Sequence, residues 1–374
     1  MAGREEILTS FDTIRQRIEA RGEGDRGWVL SGLRGVGKTA LLNELLSQAT
    51  DRHWITAKIE AGAARSLGIG LSQELTVALR TATGQHSPHR LSRLLSVFKS
   101  FSLTVNPSGA VSFGVDVEAA AGHADTGAFA DDLTALFVSM GEAARDLGIG
   151  VLIEIDEMQE ARKSELAALN QSVHRLGQAA IPLPVMVIGA GLPSLPVRLA
   201  EASSYAERLW YFQAVNVLDE AASRAALVVP VQDEHAEWDE DALTAALAIA
   251  QGYPYLLQAV GKHIWDNAIG RRIDLEDTTV GLAAAQREVD DGLYRSRWER
   301  ATGAQQDLLR ALAEVGGDGA VAIADLARQV NKRRASDLSA ARDQLIKKGL
   351  VYAPQRGLLA FTIPGMSAFI ARQP

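Results

Sequence analysis

The 374-residue sequence contains no cysteine. That absence excludes a disulfide framework, thiol catalysis and any cysteine-ligated zinc or iron–sulfur site, and it fits a reducing compartment. No uninterrupted apolar run reaches membrane-spanning length. The opening twenty residues are broken by Arg4, Glu5, Glu6, Arg15 and Arg17 and do not read as a secretory signal, so the expected location is cytoplasmic, with no membrane partner. Histidine is scarce, with seven in all. His86 and His89, in Gln85-His86-Ser87-Pro88-His89, have no carboxylate or third histidine close in sequence and read as surface loop, not as a metal site. Internal repeats and long low-complexity tracts are also missing.

What remains is ordinary globular material, 47% hydrophobic and 22% charged, in a chain too long for one ordinary core; two or three domains are expected. The net charge of −8 is unevenly spread. From Ala301 onward ten Lys and Arg stand against six Asp and Glu, an excess of four positive charges, which leaves −12 on the preceding residues.

Apolar spacing gives the layout. Ile7, Phe11, Ile14 and Ile18 mark one face of a helix. Trp28-Val29-Leu30 reads as a buried strand, followed by a glycine-rich turn and the helical spacing of Leu41, Leu42, Leu45 and Leu46. Further strands are expected over 54–59, 151–155, 185–188 and 212–217, with helices over 71–79, 91–98, 129–147 and 164–176. Strands alternating with helices imply a parallel sheet covered on its faces, an α/β core. Phe101, Leu103, Val105 and then Val111, Phe113, Val115, Val117 alternate around Asn106-Pro107-Ser108-Gly109, which reads as an inserted hairpin, followed by a loop of small residues over 119–127. From 219 to 295 strand signals give way to helices, with Trp238-Asp239-Glu240 as a start signal. The last segment reads as three short helices and then strands over 350–352 and 358–361 around Pro354-Gln355-Arg356-Gly357, the order of a winged helix-turn-helix. The expected domains are therefore a core over 1–218, a helical lid over 219–298 and a winged helix over 299–374.

Chemistry concentrates in two motifs. Gly32-Leu33-Arg34-Gly35-Val36-Gly37-Lys38-Thr39, with Ala40 following, fits G-x-x-x-x-G-K-[ST] and lies between a strand and a helix, the context the pattern requires. Glycines let successive backbone N–H groups turn inward toward phosphate oxygens, and the following helix N-terminus adds partial positive charge. Lys38 is expected to neutralise the β- and γ-phosphates and Thr39 to offer its hydroxyl to Mg2+. Val151-Leu152-Ile153-Glu154-Ile155-Asp156-Glu157 is an apolar strand ending in two acids. By itself such a pair also suits a helix N-cap. Some 120 residues after a phosphate loop, Asp156 is expected to hold the metal and Glu157 to orient or activate the attacking water. Glu154 alternates away from Val151, Ile153 and Ile155 and has no assignment. The cofactors expected are ATP or ADP with Mg2+, on a P-loop NTPase parallel sheet core.

The phosphate loop, the apolar strand ending in Asp-Glu, the helical region and the terminal winged helix together resemble AAA+ ATPases of the Orc1/Cdc6 type and their STAND-like relatives. GLRGVGKT, IDEMQ, GAGLP, SYAERL, GYPYLLQ and LIKKGL are similar to a bacterial group of ATP-binding AAA proteins. The resemblance implies that Gly3-Arg4-Glu5 lies near the adenine and that Gly252-Tyr253-Pro254 is the turn bringing the lid to the nucleotide, Pro254 included, with a helix break shaped by glycine and proline as the plainer alternative to the latter. It implies that Arg208, before the fifth strand, is an arginine finger reaching a neighbouring subunit's γ-phosphate, with a salt bridge to Glu207 or Glu201 as the plainer alternative. Two features depart from the family pattern: Gly189-Ala190-Gly191 stands where a polar sensor residue often follows the fourth strand, and the turn at Gly252 has no arginine. Both favour slow hydrolysis, with the nucleotide acting as a conformational switch.

In the winged helix, Lys332, Arg333 and Arg334 precede the third helix, Ser339 and Arg342 lie on it, and Arg356 sits in the wing turn. Such side chains contact phosphates and the groove of double-stranded DNA. The alternative is a STAND-like signalling or scaffold ATPase whose winged helix docks on protein, with homo-oligomer formation open in either case.

Overall fold

A computed structural model of the protein describes residues 1–62, 66–85, 88–105 and 126–373, with backbone alone for 88–90. The chain forms two compact units. One comprises Glu6–Ser31 and Lys38–Ala214; the other comprises Met1–Glu5, Gly32–Gly37 and Val215–Pro374.

The first unit is built on a five-stranded, all-parallel sheet in the order β2-β3-β4-β1-β5. Its elements run α1 (Glu5–Arg21), β1 (Gly27–Ser31), α2 (Lys38–Thr50), β2 (Ile55–Glu60), α3 (Leu67–Gln85), α4 (Pro88–Val105), α5 (Phe129–Leu147), β3 (Val151–Asp156), α6 (Lys163–Gly177), β4 (Val185–Gly191), α7 (Leu195–Ala202), α8 (Ala206–Leu209) and β5 (Trp210–Ala214). Every residue of β3 and β4 is buried, which is why these central strands read as near-continuous apolar runs. Val151, Ile153 and Ile155 join Leu71, Phe98, Phe137 and Leu169 in one core cluster, while α2 packs on β2, β3 and β4. The parallel α/β core expected from the sequence is present.

Two expectations need correction. Phe101, Leu103 and Val105 do not open a hairpin, because α4 continues to Val105. The buried set Leu91, Leu94, Leu95, Phe98 and Phe101 keeps helical spacing and overrides the short alternation. The rest of that hairpin, the loop over 119–125 and His86 lie outside the described residues. The fifth strand begins and ends earlier than 212–217, at Trp210–Ala214. Trp210 sets this register: its buried indole donates to Asn170 Oδ1 at 2.7 Å, and a Cβ on Gly27 of β1 would stand 2.5 Å from its ring.

The second unit carries α9 (Glu220–Asp233), β6 (Glu237–Trp238), α10 (Glu240–Ala250), α11 (Pro254–Asn267), β7 (Arg272–Ile273), α12 (Leu275–Glu288), a π-helical segment Val289–Arg295 and α13 (Ser296–Trp298). The run of helices expected over 219–295 is interrupted by β6 and β7, which pair in parallel. Asp219 caps α9 by accepting from the Ala222 N–H, and Asp274 caps α12 by accepting from Glu276 and Asp277. There follow α14 (Gly303–Gly316), β8 (Val321–Ala322), α15 (Ile323–Gln329), a 3-10 turn Ala335–Leu338, α16 (Ser339–Lys347), β9 (Val351–Tyr352), β10 (Leu358–Phe361) and α17 (Met366–Ala371). A three-stranded antiparallel sheet, β8-β10-β9, and the helices α15, α16 and α17 pack around α14, with Leu308, Leu312, Leu326, Leu345, Phe361 and Phe369 buried. Tyr294 of the π-helical segment donates its hydroxyl to the Pro364 carbonyl at 2.8 Å, and Arg372 pairs with Asp290 at 2.8 Å.

Candidate nucleotide site

The loop 32–37 links β1 to α2. Gly35 and Gly37 take φ of +79° and +93°, backbone that L side chains rarely adopt, so the glycines are needed for this course of the chain. A Cβ on Gly35 would also fall 2.2 Å from the Tyr253 hydroxyl. The loop is held by its own unit. Arg4, buried, donates to the Val36 carbonyl at 3.0 Å and the Asn216 carbonyl at 2.6 Å. The buried Tyr253 hydroxyl donates to the Arg34 carbonyl, and the Tyr255 N–H donates to the Gly35 carbonyl at 3.2 Å. The Arg34 N–H donates to the Thr362 carbonyl at 3.0 Å, just past β10. Thr362 is itself fully buried, with its hydroxyl donating to the Gly349 carbonyl at 2.7 Å.

The turn before Pro254 is equally determined. Gly252 has φ +71°, and a Cβ there would meet the Leu218 carbonyl at 2.2 Å; Leu218 N–H returns a bond to the Gly252 carbonyl at 2.7 Å. Pro254 then opens α11 at its first turn, where its missing N–H costs nothing.

In the other unit, Lys38 starts α2 and is buried, and Thr39 donates its hydroxyl to Asp156 Oδ2 at 2.7 Å. The two motifs, 117 residues apart, thus meet directly. Asp156 uses its other oxygen, Oδ1, to accept from the Glu157 N–H at 2.8 Å. A hydroxyl beside a carboxylate is an oxygen donor set suited to a hard divalent cation that takes its remaining ligands from water and phosphate, so these residues fit Mg2+. Glu157 lies at φ 47° and ψ 35°, left-handed backbone uncommon for a non-glycine residue. A 3-10 turn, Met158–Glu160, follows.

The glycines at the end of β4 have a packing explanation. A Cβ on Gly189 would stand 2.2 Å from Met158 Sδ, and one on Gly191 would stand 2.4 Å from Gln159 Oε1. The strand therefore cannot carry a larger side chain at either position without shifting the Met158 or Gln159 side chain.

Glu154 is fully buried, and neither carboxylate oxygen has a hydrogen-bond partner among the described residues. Burial pushes its carboxyl up to about 8, opposed by Lys58 on β2 and reinforced by Asp156. Between 4.5 and about 8 the folded chain keeps a proton that the unfolded chain has released, so stability falls as pH rises through that window and levels off above it. In protein free of metal and nucleotide, Glu154→Gln is expected to flatten this slope. Thermal denaturation across that range should show the variant gaining on the parent by on the order of a few kcal/mol, and parallel curves would refute it.

The remaining expected site residues are scattered. Arg208 is exposed on α8 and, among the described residues, forms no ion pair with Glu201 or Glu207. Lys332, Arg333 and Arg334 are exposed in the connection before the 3-10 turn, Arg356 is exposed in the β9–β10 connection, and Ser339 is half-buried at the start of α16. Arg342 pairs with Asp343 at 2.8 Å. Part of the C-terminal positive excess is used internally: Lys348 Nζ bonds the Arg300 carbonyl at 2.7 Å and Gln305 Oε1 at 2.6 Å. Gln159 and Thr362 were not anticipated as site residues, and Tyr253 was anticipated only as a member of the turn at Gly252.

A parallel sheet with a glycine-rich phosphate loop after β1 and an acid from β3 bonded to the loop's threonine defines a P-loop NTPase. The chain belongs to the AAA ATPase domain family, which matches residues 1–188. Residues 291–370 match a family described as a domain of unknown function. No curated protein matches. Among solved structures, the Walker-type ATPase PABY2304 of Pyrococcus abyssi is similar over 99% of this chain and 96% of that chain, at 16% identity and TM-score 0.64. The Aeropyrum pernix Orc1 protein in complex with DNA matches at 14% identity and TM-score 0.46, covering 100% of this chain and 93% of that chain. The Thermotoga maritima RuvB Holliday junction branch migration motor matches at 15% identity and TM-score 0.44, covering 96% and 92%. The chain has the fold of the Walker-type ATPases, and among its described residues no helix is long and apolar enough to cross a membrane.

Proposed function

We propose that this AAA ATPase is a cytoplasmic nucleotide-dependent switch that hydrolyses ATP slowly and couples its nucleotide state to double-stranded DNA through a C-terminal winged helix. In this reading residues 32–40 cradle the triphosphate, with Lys38 on the β- and γ-phosphates; Thr39 and Asp156 hold Mg2+; Glu157 prepares the attacking water. Bound Mg2+ would neutralise charge developing on the phosphates. Arg4 and Pro254 border the nucleotide, and Arg208 serves a neighbouring copy as an arginine finger. Residues 219–298 act as the lid, and 299–374 as the winged helix, with α16 as the helix offered to the groove.

One observation carries the coupling. The Arg34 amide of the phosphate loop is bonded to the Thr362 carbonyl, while the Arg34 carbonyl receives the Tyr253 hydroxyl. A phosphate arriving at this loop changes a peptide that the lid turn and the C-terminal hairpin both grip, so nucleotide state and winged-helix state share one backbone segment. Slow turnover is supported by the apolar end of β4, which supplies no polar side chain.

Duplex DNA is favoured over a protein partner because Lys332, Arg333, Arg334 and Arg356 are exposed, and the first three form no ion pair among the described residues. Random-sequence duplex should bind with an affinity that falls steeply with salt and differs between ATP and ADP. Charge reversal at Arg333 and Arg334 should weaken binding by ~10-fold or more at low salt and flatten the salt slope by about two. If affinity ignores both salt and charge reversal, DNA is wrong. Capture of a defined protein partner by the same surface then supports the signalling or scaffold alternative.

A further inference from the structure

Beyond the motif residues, one buried polar side chain joins Glu157 to the end of β4. Gln159 is 3% exposed. Its Nε2 donates to Glu157 Oε2 at 2.5 Å, with a longer approach to Glu160 Oε1 at 3.4 Å. Its Oε1 accepts from the Leu192 N–H at 3.0 Å. That second bond fixes which end of the amide faces the carboxylate: Oε1 is committed to a backbone donor, so the NH2 must point at Glu157. Gly191 leaves the room for this, since a Cβ there would lie 2.4 Å from Gln159 Oε1.

We propose that Gln159 is a positioning residue for ATP hydrolysis, tying the Glu157 carboxylate to the end of β4 through the Leu192 amide. The proposal rests on the reading of Glu157 as the group that prepares water. A glutamate side chain with three rotatable bonds, set on left-handed backbone, has many ways to point; a buried donor bonded to one of its oxygens selects one of them. In this chain β4 ends in glycine and alanine, and its polar contribution to the site is a main-chain N–H relayed by the Gln159 amide. Gly191 is accordingly part of the same device, as the residue whose missing side chain admits the amide.

Gln159→Glu separates positioning from structure. The new carboxylate can still accept from the Leu192 N–H but has nothing to donate to Glu157 and repels it. Single-turnover hydrolysis and MgATP calorimetry are measured on the full chain for the parent, Gln159→Glu, Glu157→Gln and the double variant. The expected result is a turnover rate lower by ~10-fold in Gln159→Glu, with MgATP affinity changed by no more than about twofold, and no further loss when Gln159→Glu is added to Glu157→Gln. Gly191→Ala, which crowds the amide without removing it, is expected to behave in the same way and replaces Gln159→Glu if the latter does not fold. Normal turnover in both Gln159→Glu and Gly191→Ala, or an equal loss whether or not Glu157 is present, overturns the positioning role while Glu157→Gln remains slow. Parental turnover in Glu157→Gln itself overturns the reading of Glu157 and the role of Gln159 together.

Discussion

Lys38→Ala is expected to abolish measurable MgATP binding at concentrations where the parent chain is saturated. Lys38 is the first residue of α2 and is buried, so a charge on it at the helix N-terminus is weakly screened by water. Removing a charge-assisted contact to a tetra-anionic ligand in such a place should weaken affinity by ~100-fold or more. Alanine is the best helix former, so loss of the fold is not the expected cause. Calorimetry reads the affinity directly. Thermal protection supplies the control: at a ligand concentration of about 100 times the parent's Kd the parent gains roughly 2.7 kcal/mol, a shift of several degrees, and the variant gains no more than about 0.4 kcal/mol, melting near the parent's unliganded temperature. Equal protection in both proteins would sink the phosphate-loop assignment and everything built on it.

The parts of this site that were legible in the sequence share one property: their signal is local. Gly32 to Thr39 announces itself because the glycine positions, the lysine and the flanking strand and helix are adjacent in the chain. β3 is legible because four of its six residues are apolar and the strand closes on an acid. The opposite holds for the loop's supports. Tyr253 lies 219 residues from Arg34, and a tyrosine next to Gly252 and Pro254 reads as turn punctuation until the fold brings its hydroxyl to the Arg34 carbonyl. Thr362 contributes a main-chain carbonyl, which no side-chain pattern can advertise. Glu154 was visible as an acid on the strand's second face, yet alternation does not say whether α2 or solvent covers that face. Very short elements such as β8 are below the length at which periodicity speaks, and α17 escaped notice behind Pro364-Gly365, which reads as a stop.

Glu157→Gln is expected to leave MgATP affinity within about twofold of the parent and to cut turnover by ~100-fold, the lower end of what a positioned general base contributes. The asymmetry follows from the contacts. In the proposed site, binding draws on the loop amides, Lys38, Thr39 and Asp156, and the Thr39–Asp156 bond at 2.7 Å does not involve the Glu157 side chain. The isosteric amide keeps a carbonyl oxygen able to accept from Gln159 Nε2, so the turn over Met158–Glu160 should hold its place, and only the capacity to draw a proton from water is lost. Single-turnover phosphate release and calorimetry separate the two quantities. The same variant reports on the switch: with hydrolysis blocked and ATP retained, the chain should keep the DNA affinity of its ATP state for as long as nucleotide stays bound, while the parent drifts toward its ADP affinity at the rate of turnover. If Glu157→Gln hydrolyses ATP at the parental rate, the water-preparing role belongs to another side chain. If it is slow but its DNA affinity still drifts at the parental rate, hydrolysis and the C-terminal segment are uncoupled, and the Arg34–Thr362 bond is a packing contact only.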